Sequence, residues 1–155
     1  MGRAIDAVRH HLSVALGAPA VVGDMFDAIE NVRVLRTRVT TAQVNAGLTL
    51  LPAVPGKSYR LHDAAVIAIG GAAGVVTSVD ILATQATSSV KLLSVAAAAL
   101  TRSTVVRAGA ANAAVLADGA SFVANDANTA ISILKAGTDM TTATHIDVLL
   151  TYSVE

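Results

Sequence analysis

The sequence predicts a mainly β protein: an antiparallel β-sandwich or jelly roll of about eight strands, preceded by an N-terminal helical arm. Three observations support this prediction. Hydrophobic residues make up 54% of the 155 positions and aromatic residues only 3%, so the apolar side chains are mostly small or β-branched. Short extended runs alternate with clusters of Gly, Asn, Asp and Ser, a spacing typical of sandwiches and jelly rolls. Long helices do not alternate with these runs, which disfavours a parallel α/β sheet.

The chain is predicted to divide into a helical arm, residues 1–30, and a jelly-roll domain, residues 31–155. Within the arm, four apolar residues follow the i, i+3, i+7, i+11 spacing of one helix face: Ile5, Val8, Leu12 and Leu16. A single amphipathic helix cannot bury such a stripe by itself. We therefore expect the arm to dock on its own β domain or on a neighbouring chain.

Beyond the arm, the apolar period changes to that of strands. Extended runs are predicted over residues 32–39, 48–51, 59–69, 75–84, 90–98, 104–107, 113–116, 121–124, 129–135 and 144–154. Between the first two runs, one helical turn is expected, with Thr41 as its N-cap and Gly47 as its terminator. The glycine-rich segment 70–74 is expected to form a hairpin turn between the third and fourth runs. The alanine run 96–99 is equally compatible with a helix.

Charge and cysteine content exclude several classes of function. The 11 basic and 11 acidic residues sum to a net charge of zero, so nothing favours non-specific binding to nucleic acid or to an anionic membrane. The apolar charge-free run of residues 64–79 is shorter than the roughly 20 residues that a membrane-spanning helix needs. The chain contains no cysteine, which excludes disulfides, thiol catalysis and cysteine-ligated zinc.

The low content of charged residues indicates an assembly subunit. Charged residues make up 14% of the chain, whereas typical soluble domains contain about 25%. A lone domain of this size has a large surface to cover with polar groups. We therefore expect part of the surface to be buried against other chains, and predict a homo-oligomer.

Three arginines in the first predicted strand form the most pronounced polar feature of the sequence. Arg33, Arg36 and Arg38 belong to a stretch, residues 31–60, that contains five basic residues and no acidic one. One interpretation is a solvated strand face. The other is a collar that pairs with acidic groups on a partner chain, because the planar guanidinium can hold a carboxylate at two points.

Two histidines lie near carboxylates in the predicted strands. His62 precedes Asp63, and His145 shares one strand face with Asp147 because side chains alternate with a period of two. A hydrolase triad or a metal site assembled from such positions is an open alternative. The favoured interpretation is a surface or interface hydrogen bond, so we predict no enzyme activity, no metal and no cofactor.

Two segments of the sequence resemble small structural proteins of tailed bacteriophages. They are TAQVNAGLTLLPAVPGKSYRL, residues 41–61, and GTDMTTATHIDVLLTY, residues 137–152. In those proteins a helical turn and a proline–glycine–lysine phrase lead into the first long strand of a jelly roll, and a similar turn and strand close the domain. The resemblance covers roughly residues 40–155, contains no catalytic signature and transfers no functional residue.

This resemblance implies a jelly roll like that of tumour necrosis factor, often trimeric, that decorates a capsid as a cement protein. The expected function is therefore a virion subunit on the capsid surface that clamps neighbouring subunits of the major capsid protein. We expect seven residues to form the partner interface: Ile5, Val8, Leu12, Leu16, Arg33, Arg36 and Arg38. The alternative is a tail or fibre-tip module that binds a receptor or a glycan, although the chain has only four aromatic residues to stack on a sugar.

Overall fold

The computed structural model describes residues 32–110, 114–119 and 125–155 of the chain. Residues Arg33–Glu155 form a compact unit, the β domain. The helical arm predicted for residues 1–30 lies outside the described residues.

The described residues form eight strands and one α-helix, so the prediction of a mainly β protein is confirmed. In chain order the elements are β1 (Arg33–Thr40), α1 (Thr41–Ala46), β2 (Leu48–Leu51), β3 (Tyr59–Ile69), β4 (Val76–Gln85), β5 (Ser88–Ala96), β6 (Val105–Arg107), β7 (Ile131–Gly137) and β8 (His145–Val154). Two short 3₁₀ turns cover Ala97–Ala99 and Ala117–Gly119. In the described part of the chain, no helix is long and apolar enough to cross a membrane.

The strands form two antiparallel four-stranded sheets. Sheet I has the order β1-β8-β3-β6, and sheet II has the order β2-β7-β4-β5. Consecutive strands lie in different sheets, except that β4 and β5 are neighbours in sheet II. The first and last strands pair along their length, from Arg33 opposite Tyr152 to Thr40 opposite His145. The two ends of the β domain are thereby fixed to each other.

The core lies between the two sheets. Alternate residues of each strand point inward, as the period of two requires. The largest fully buried side chains come from both sheets, and they are Ile81, Leu92, Leu93, Leu100, Ile131, Ile133, Ile146, Leu150, Val39, Val44, Val66 and Val79. Because each such side chain contributes about 1.5–3 kcal/mol when it leaves water, aliphatic burial is sufficient to stabilise the sandwich without tryptophan.

The expected hairpin at residues 70–74 is wrong. Strand β3 lies in sheet I and β4 in sheet II, so this glycine-rich segment crosses between sheets. The hairpin is instead the β4–β5 connection, where Ala86 and Thr87 have φ angles of +48° and +67°. Such angles normally favour Gly or Asn, and because the sequence has neither residue there, it does not reveal the turn.

The helical turn after β1 is confirmed, but its cap lies one residue earlier than expected. The Thr40 hydroxyl accepts a hydrogen bond from the Gln43 amide at 3.3 Å, and Gln43 Oε1 accepts one from the Thr40 amide at 2.9 Å. This reciprocal pair is a capping box. Gly47 ends the helix with a φ angle of +84°, as expected.

The shorter predicted runs have different outcomes. Of the run predicted at 113–116, the described residues 114–116 do not form a strand, but Val115 makes an isolated bridge to Val95. The run predicted at 121–124 lies outside the described residues. The alanine run ends in the 3₁₀ turn Ala97–Ala99 rather than continuing the strand.

Candidate partner-binding face

A cavity of about 570 Å³ opens on the outward face of sheet I. Its lining comes from four strands, and comprises Arg36, Thr37, Arg38, Ala65, Ile67, Val105, Asp147, Val148 and Leu149. All four strands of the sheet contribute. The cavity therefore spans the width of the sheet rather than one loop.

The strand register aligns the outward residues into two rows. In the first row Leu149 lies opposite both Arg36 and Ala65, and Ala65 lies opposite Arg107. The adjacent row has the same order of strands and comprises Arg38, Asp147, Ile67 and Val105. The first row has an arginine at each edge and apolar residues between them. The second row has charged residues on β1 and β8 and apolar residues on β3 and β6.

The floor of this face is apolar. Ile67 and Leu149 are half-buried, whereas Val105 on β6 is 53% exposed. Val34, which lies opposite Thr151 on the same face, is 60% exposed. Exposed apolar side chains gathered on one face, with polar groups around them, are typical of a binding surface.

Arg38 and Asp147 form a two-point ion pair across β1 and β8. The Arg38 guanidinium donates to the two carboxylate oxygens of Asp147, at 2.7 Å and 2.8 Å. These hydrogen bonds hold the pKa of Asp147 below its usual range, against a smaller opposing effect of burial. Asp147 is consequently charged at neutral pH and already engaged by its neighbour.

The other charged groups on this face are two arginines and one aspartate. Arg107 on β6 donates to the Asp63 carboxylate at 2.6 Å. Arg36 makes no ion pair with any described residue, so within that part of the chain it remains available to an acidic group of a partner.

The expected set of three arginines is divided by the alternation of the strand. Arg36 and Arg38 lie on the outward face of sheet I, two residues apart. Arg33 has the opposite parity and lies opposite Tyr152, at the exposed start of β1. The four apolar residues of the arm that were expected to join this interface lie outside the described residues.

Several residues of the face could not be identified from the sequence. Asp147 is 109 residues from Arg38, and Arg107 is 44 residues from Asp63. Nothing local to either carboxylate indicates its partner. Only the strand order places β1, β8, β3 and β6 side by side.

The two candidate histidines do not come together. His62 lies near the start of β3, and its Nε2 is 3.1 Å from the Ser153 hydroxyl. His145 lies opposite Ile69 at the other end of β3, and its Nδ1 is 2.9 Å from the Thr144 hydroxyl. Among the described residues, neither ring contacts a carboxylate, and no three metal-ligating side chains form a cluster. The serine–histidine–carboxylate arrangement of a hydrolase is therefore not assembled in this part of the chain.

Sheet II carries a separate buried polar cluster. Asp80 on β4 is 4% exposed and accepts a hydrogen bond from the Ser94 hydroxyl at 2.6 Å. Lys91 lies 3.4 Å from Asp80 and 2.6 Å from Asp118. The lysine thus ties the 3₁₀ turn that contains Asp118 to β5, which is a structural role.

The outward face of sheet I therefore combines an apolar floor, two ion pairs and an arginine that no described residue engages. No protein-family model, no curated protein and no solved structure matches the chain.

Proposed function

We propose that this protein is a non-enzymatic structural subunit of a bacteriophage particle, a homotrimeric jelly roll that decorates the capsid and holds neighbouring subunits of the major capsid protein together. The strand order supports the jelly roll, because the sequence of crossovers between β1-β8-β3-β6 and β2-β7-β4-β5 matches two Greek keys. The resemblance of residues 41–61 and 137–152 to phage structural proteins supports the particle.

The outward face of sheet I is the observation that carries the proposal. Interfaces combine an apolar centre with a polar rim, and arginine is enriched among their residues. Here Ile67, Leu149 and Val105 supply the apolar centre, and Arg36 supplies a cation for an acidic coat residue. Apolar burial on this face and arginine pairing at its edge would together clamp a coat subunit.

The low charge of the chain supports a subunit with several covered surfaces. A single decorated face does not require a chain with only 14% charged residues. Contacts between copies in a trimer would cover additional surface, as would docking of the N-terminal arm on the coat.

A tail or fibre-tip module that binds a receptor or glycan is the alternative, and it has less support. Sugar sites usually present exposed aromatic rings. In the described part of the chain, Tyr59 is buried and packs edge-to-face on Tyr152, with 5.7 Å between ring centroids. Tyr59 is therefore not available as a flat sugar-binding platform, and Tyr152 is partly engaged by it.

The test has two steps. The first is a quantitative gel of the purified source particle, which counts copies of this chain against the major coat protein. One copy per coat subunit, or a simple fraction of that, is expected for a decoration protein. A handful of copies would favour the tail or fibre alternative, and complete absence would overturn the virion proposal.

The second step measures binding of purified protein to undecorated shells by co-sedimentation. Arg36→Glu is expected to weaken binding at least tenfold, because it places a negative charge at the apolar centre's edge. Lys57→Glu makes the same charge change in the turn before β3 and is the matched control. Deletion of residues 1–30 is expected to abolish binding while the oligomer remains folded, and undiminished binding would contradict the role of the arm.

A further inference from the structure

Each sheet ends in two edge strands, and three of the four are short or covered. Strand β6 has three residues, and β2 has four with an irregular register between Thr49 and Leu51. The C-terminal end of β5 is covered by the segment that follows β6: the Ala96 amide donates to the Ala114 carbonyl at 2.9 Å, and the Leu116 amide donates to the Ser94 carbonyl at 2.8 Å. Such devices prevent unintended strand pairing.

Strand β1 lacks these devices. It has eight residues in unbroken antiparallel register with β8. No described residue pairs with its other side. The backbone groups along that side are therefore available, within the described part of the chain, to an additional strand.

We propose that β1 accepts an extended segment of a partner protein as an added strand, and that this segment carries a carboxylate beside Arg36 and an apolar side chain beside Val34. Main-chain hydrogen bonds would provide the affinity and alternate side chains the specificity. The inference rests on the proposed function only for the partner's identity, a segment of the coat protein.

Charge complementarity is the reason for choosing a partner segment with a carboxylate. Arg38 is neutralised by Asp147, whereas Arg36 has no acidic neighbour among the described residues. A carboxylate on the next strand would lie directly across from Arg36, and opposite charges on neighbouring strands attract. The exposed Val34, two residues away on the same face, would pack on an apolar residue of that strand.

A second copy of this chain is a poorer occupant of the edge. In antiparallel pairing of two β1 strands about a twofold axis normal to the sheet, outward residues face outward residues. A register centred on Leu35 avoids an arginine pair but leaves a shorter ladder. The two registers with the longest overlap of β1 are the one centred on Arg36, which places Arg36 opposite its own copy, and the one centred on Thr37, which places Arg36 opposite Arg38. Both arrangements bring arginines together, which is unfavourable.

The experiment uses the full chain and a synthetic probe, a fluorescein-labelled heptapeptide with glutamate at its third position, valine at its fifth and serine or threonine elsewhere, so that the glutamate and the valine share one face of the added strand. Fluorescence polarisation measures its binding, and a peptide with lysine in place of glutamate is the charge control. The glutamate peptide is expected to bind at least tenfold more tightly than the lysine peptide. Arg36→Glu is expected to reverse this preference, and Lys57→Glu to leave it unchanged.

Hydrogen exchange distinguishes an added strand from side-chain attraction. Amides of residues 33–40 that do not donate to β8 are expected to gain protection when the glutamate peptide binds. Binding without this protection would overturn strand addition. Failure of both peptides to bind would also overturn strand addition. So would an Arg36→Thr variant that self-associates and still binds the peptide fully, because Arg36 would then serve only to block pairing between copies.

The outcomes also separate this inference from the proposed function. Peptide binding with protection of β1, together with no binding of the chain to shells, would overturn the capsid proposal and support the strand-accepting edge. Shell binding that survives Arg36→Glu, together with loss of peptide binding, would support the capsid proposal and overturn β1 as its contact.

Discussion

The contribution of a carboxylate to the free energy of unfolding of this protein depends on how deeply the carboxylate is buried. Asp63 and Asp147 are partly exposed and form ion pairs with exposed arginines. Pairs of this kind contribute little to the free energy of unfolding, because water solvates both partners in either state. Asp80 is buried, and the hydroxyl and ammonium groups beside it replace the water it has lost.

Asp80→Ala is therefore predicted to lower the free energy of unfolding by about 2–4 kcal/mol, because it leaves the buried Ser94 hydroxyl without its acceptor and removes one partner of Lys91. Urea unfolding followed by circular dichroism measures the loss. Asp63→Ala is the matched control and should cost about 1 kcal/mol or less. Equal losses in the two variants would show that the buried network does not carry this stability.

The connections between the two sheets depend on small residues, just as the strands depend on β-branched ones. The segment that follows β3 packs against the residues that precede β8. A Cβ atom at Gly70 would collide with the Thr144 side chain, and one at Gly71 would collide with the Thr142 carbonyl. Because a carbonyl cannot rotate away as a side chain can, the crossover tolerates no side chain at Gly71.

Gly71→Ala is predicted to be more destabilising than Gly109→Ala. The first introduces a backbone collision, whereas a Cβ atom at Gly109 meets nothing within 4 Å and suffers only the strain of a φ angle of +81°. We expect a loss of about 1 kcal/mol at Gly109 and at least twice that at Gly71. Thermal unfolding of both variants gives the comparison, and a larger loss at Gly109 would contradict the packing of the crossover.

The edge strands of the two sheets are protected from unintended pairing in different ways. The same arginine that is available to a partner also makes the edge of β1 unfavourable for a second copy. A segment that covers β5 uses backbone hydrogen bonds for the same protection. One edge of sheet II is thus covered at its C-terminal end by the chain itself, whereas the described residues leave the β1 edge of sheet I protected only by the charge of its arginines.

At the scale of the whole β domain, three groups with shifted pKa values make its stability depend on pH. The hydrogen bonds from Arg38 lower the pKa of Asp147, so its contribution is present above the unfolded-state pKa and is lost as pH falls through the folded-state pKa. The hydrogen bond to Asp118 raises the pKa of Lys91, and burial raises the pKa of Tyr59. Their contributions are present below the unfolded-state pKa and are lost as pH rises through the folded-state pKa.

We predict that the urea midpoint is highest near neutral pH and falls on both the acid side and the alkaline side. Asp147→Asn should reduce the fall in the midpoint below about pH 4 only slightly, because a partly exposed ion pair contributes at most about 1 kcal/mol. Lys91→Met should reduce the fall in the midpoint above about pH 10. Midpoints measured from pH 3 to pH 11 for the three proteins test both assignments. If the curve of midpoint against pH for a variant runs parallel to that of the natural protein, the corresponding pKa assignment is contradicted.

Much of the fold was accessible from sequence, and the candidate site was accessible only in part. The eight strands that the structure describes fall within or close to predicted runs, because apolar periodicity and turn residues are local signals. Strand β3 matches its predicted bounds, Tyr59–Ile69. The hairpin was misplaced because Ala86 and Thr87 adopt positive φ angles without glycine, while the glycines of segment 70–74 serve close packing between loops.

By itself, the sequence determined that the β domain is an antiparallel assembly of short strands and that a basic strand begins it. Arg33, Arg36 and Arg38 are predicted as one set from the sequence, although the alternation of side chains places Arg33 on the other face. The tertiary structure alone decided which strands are neighbours, and therefore that Arg38 pairs with Asp147 and that β1 lies at an edge. Strand order depends on the packing of two sheets over many distant residues, and a local pattern of period two specifies a face without specifying its neighbour.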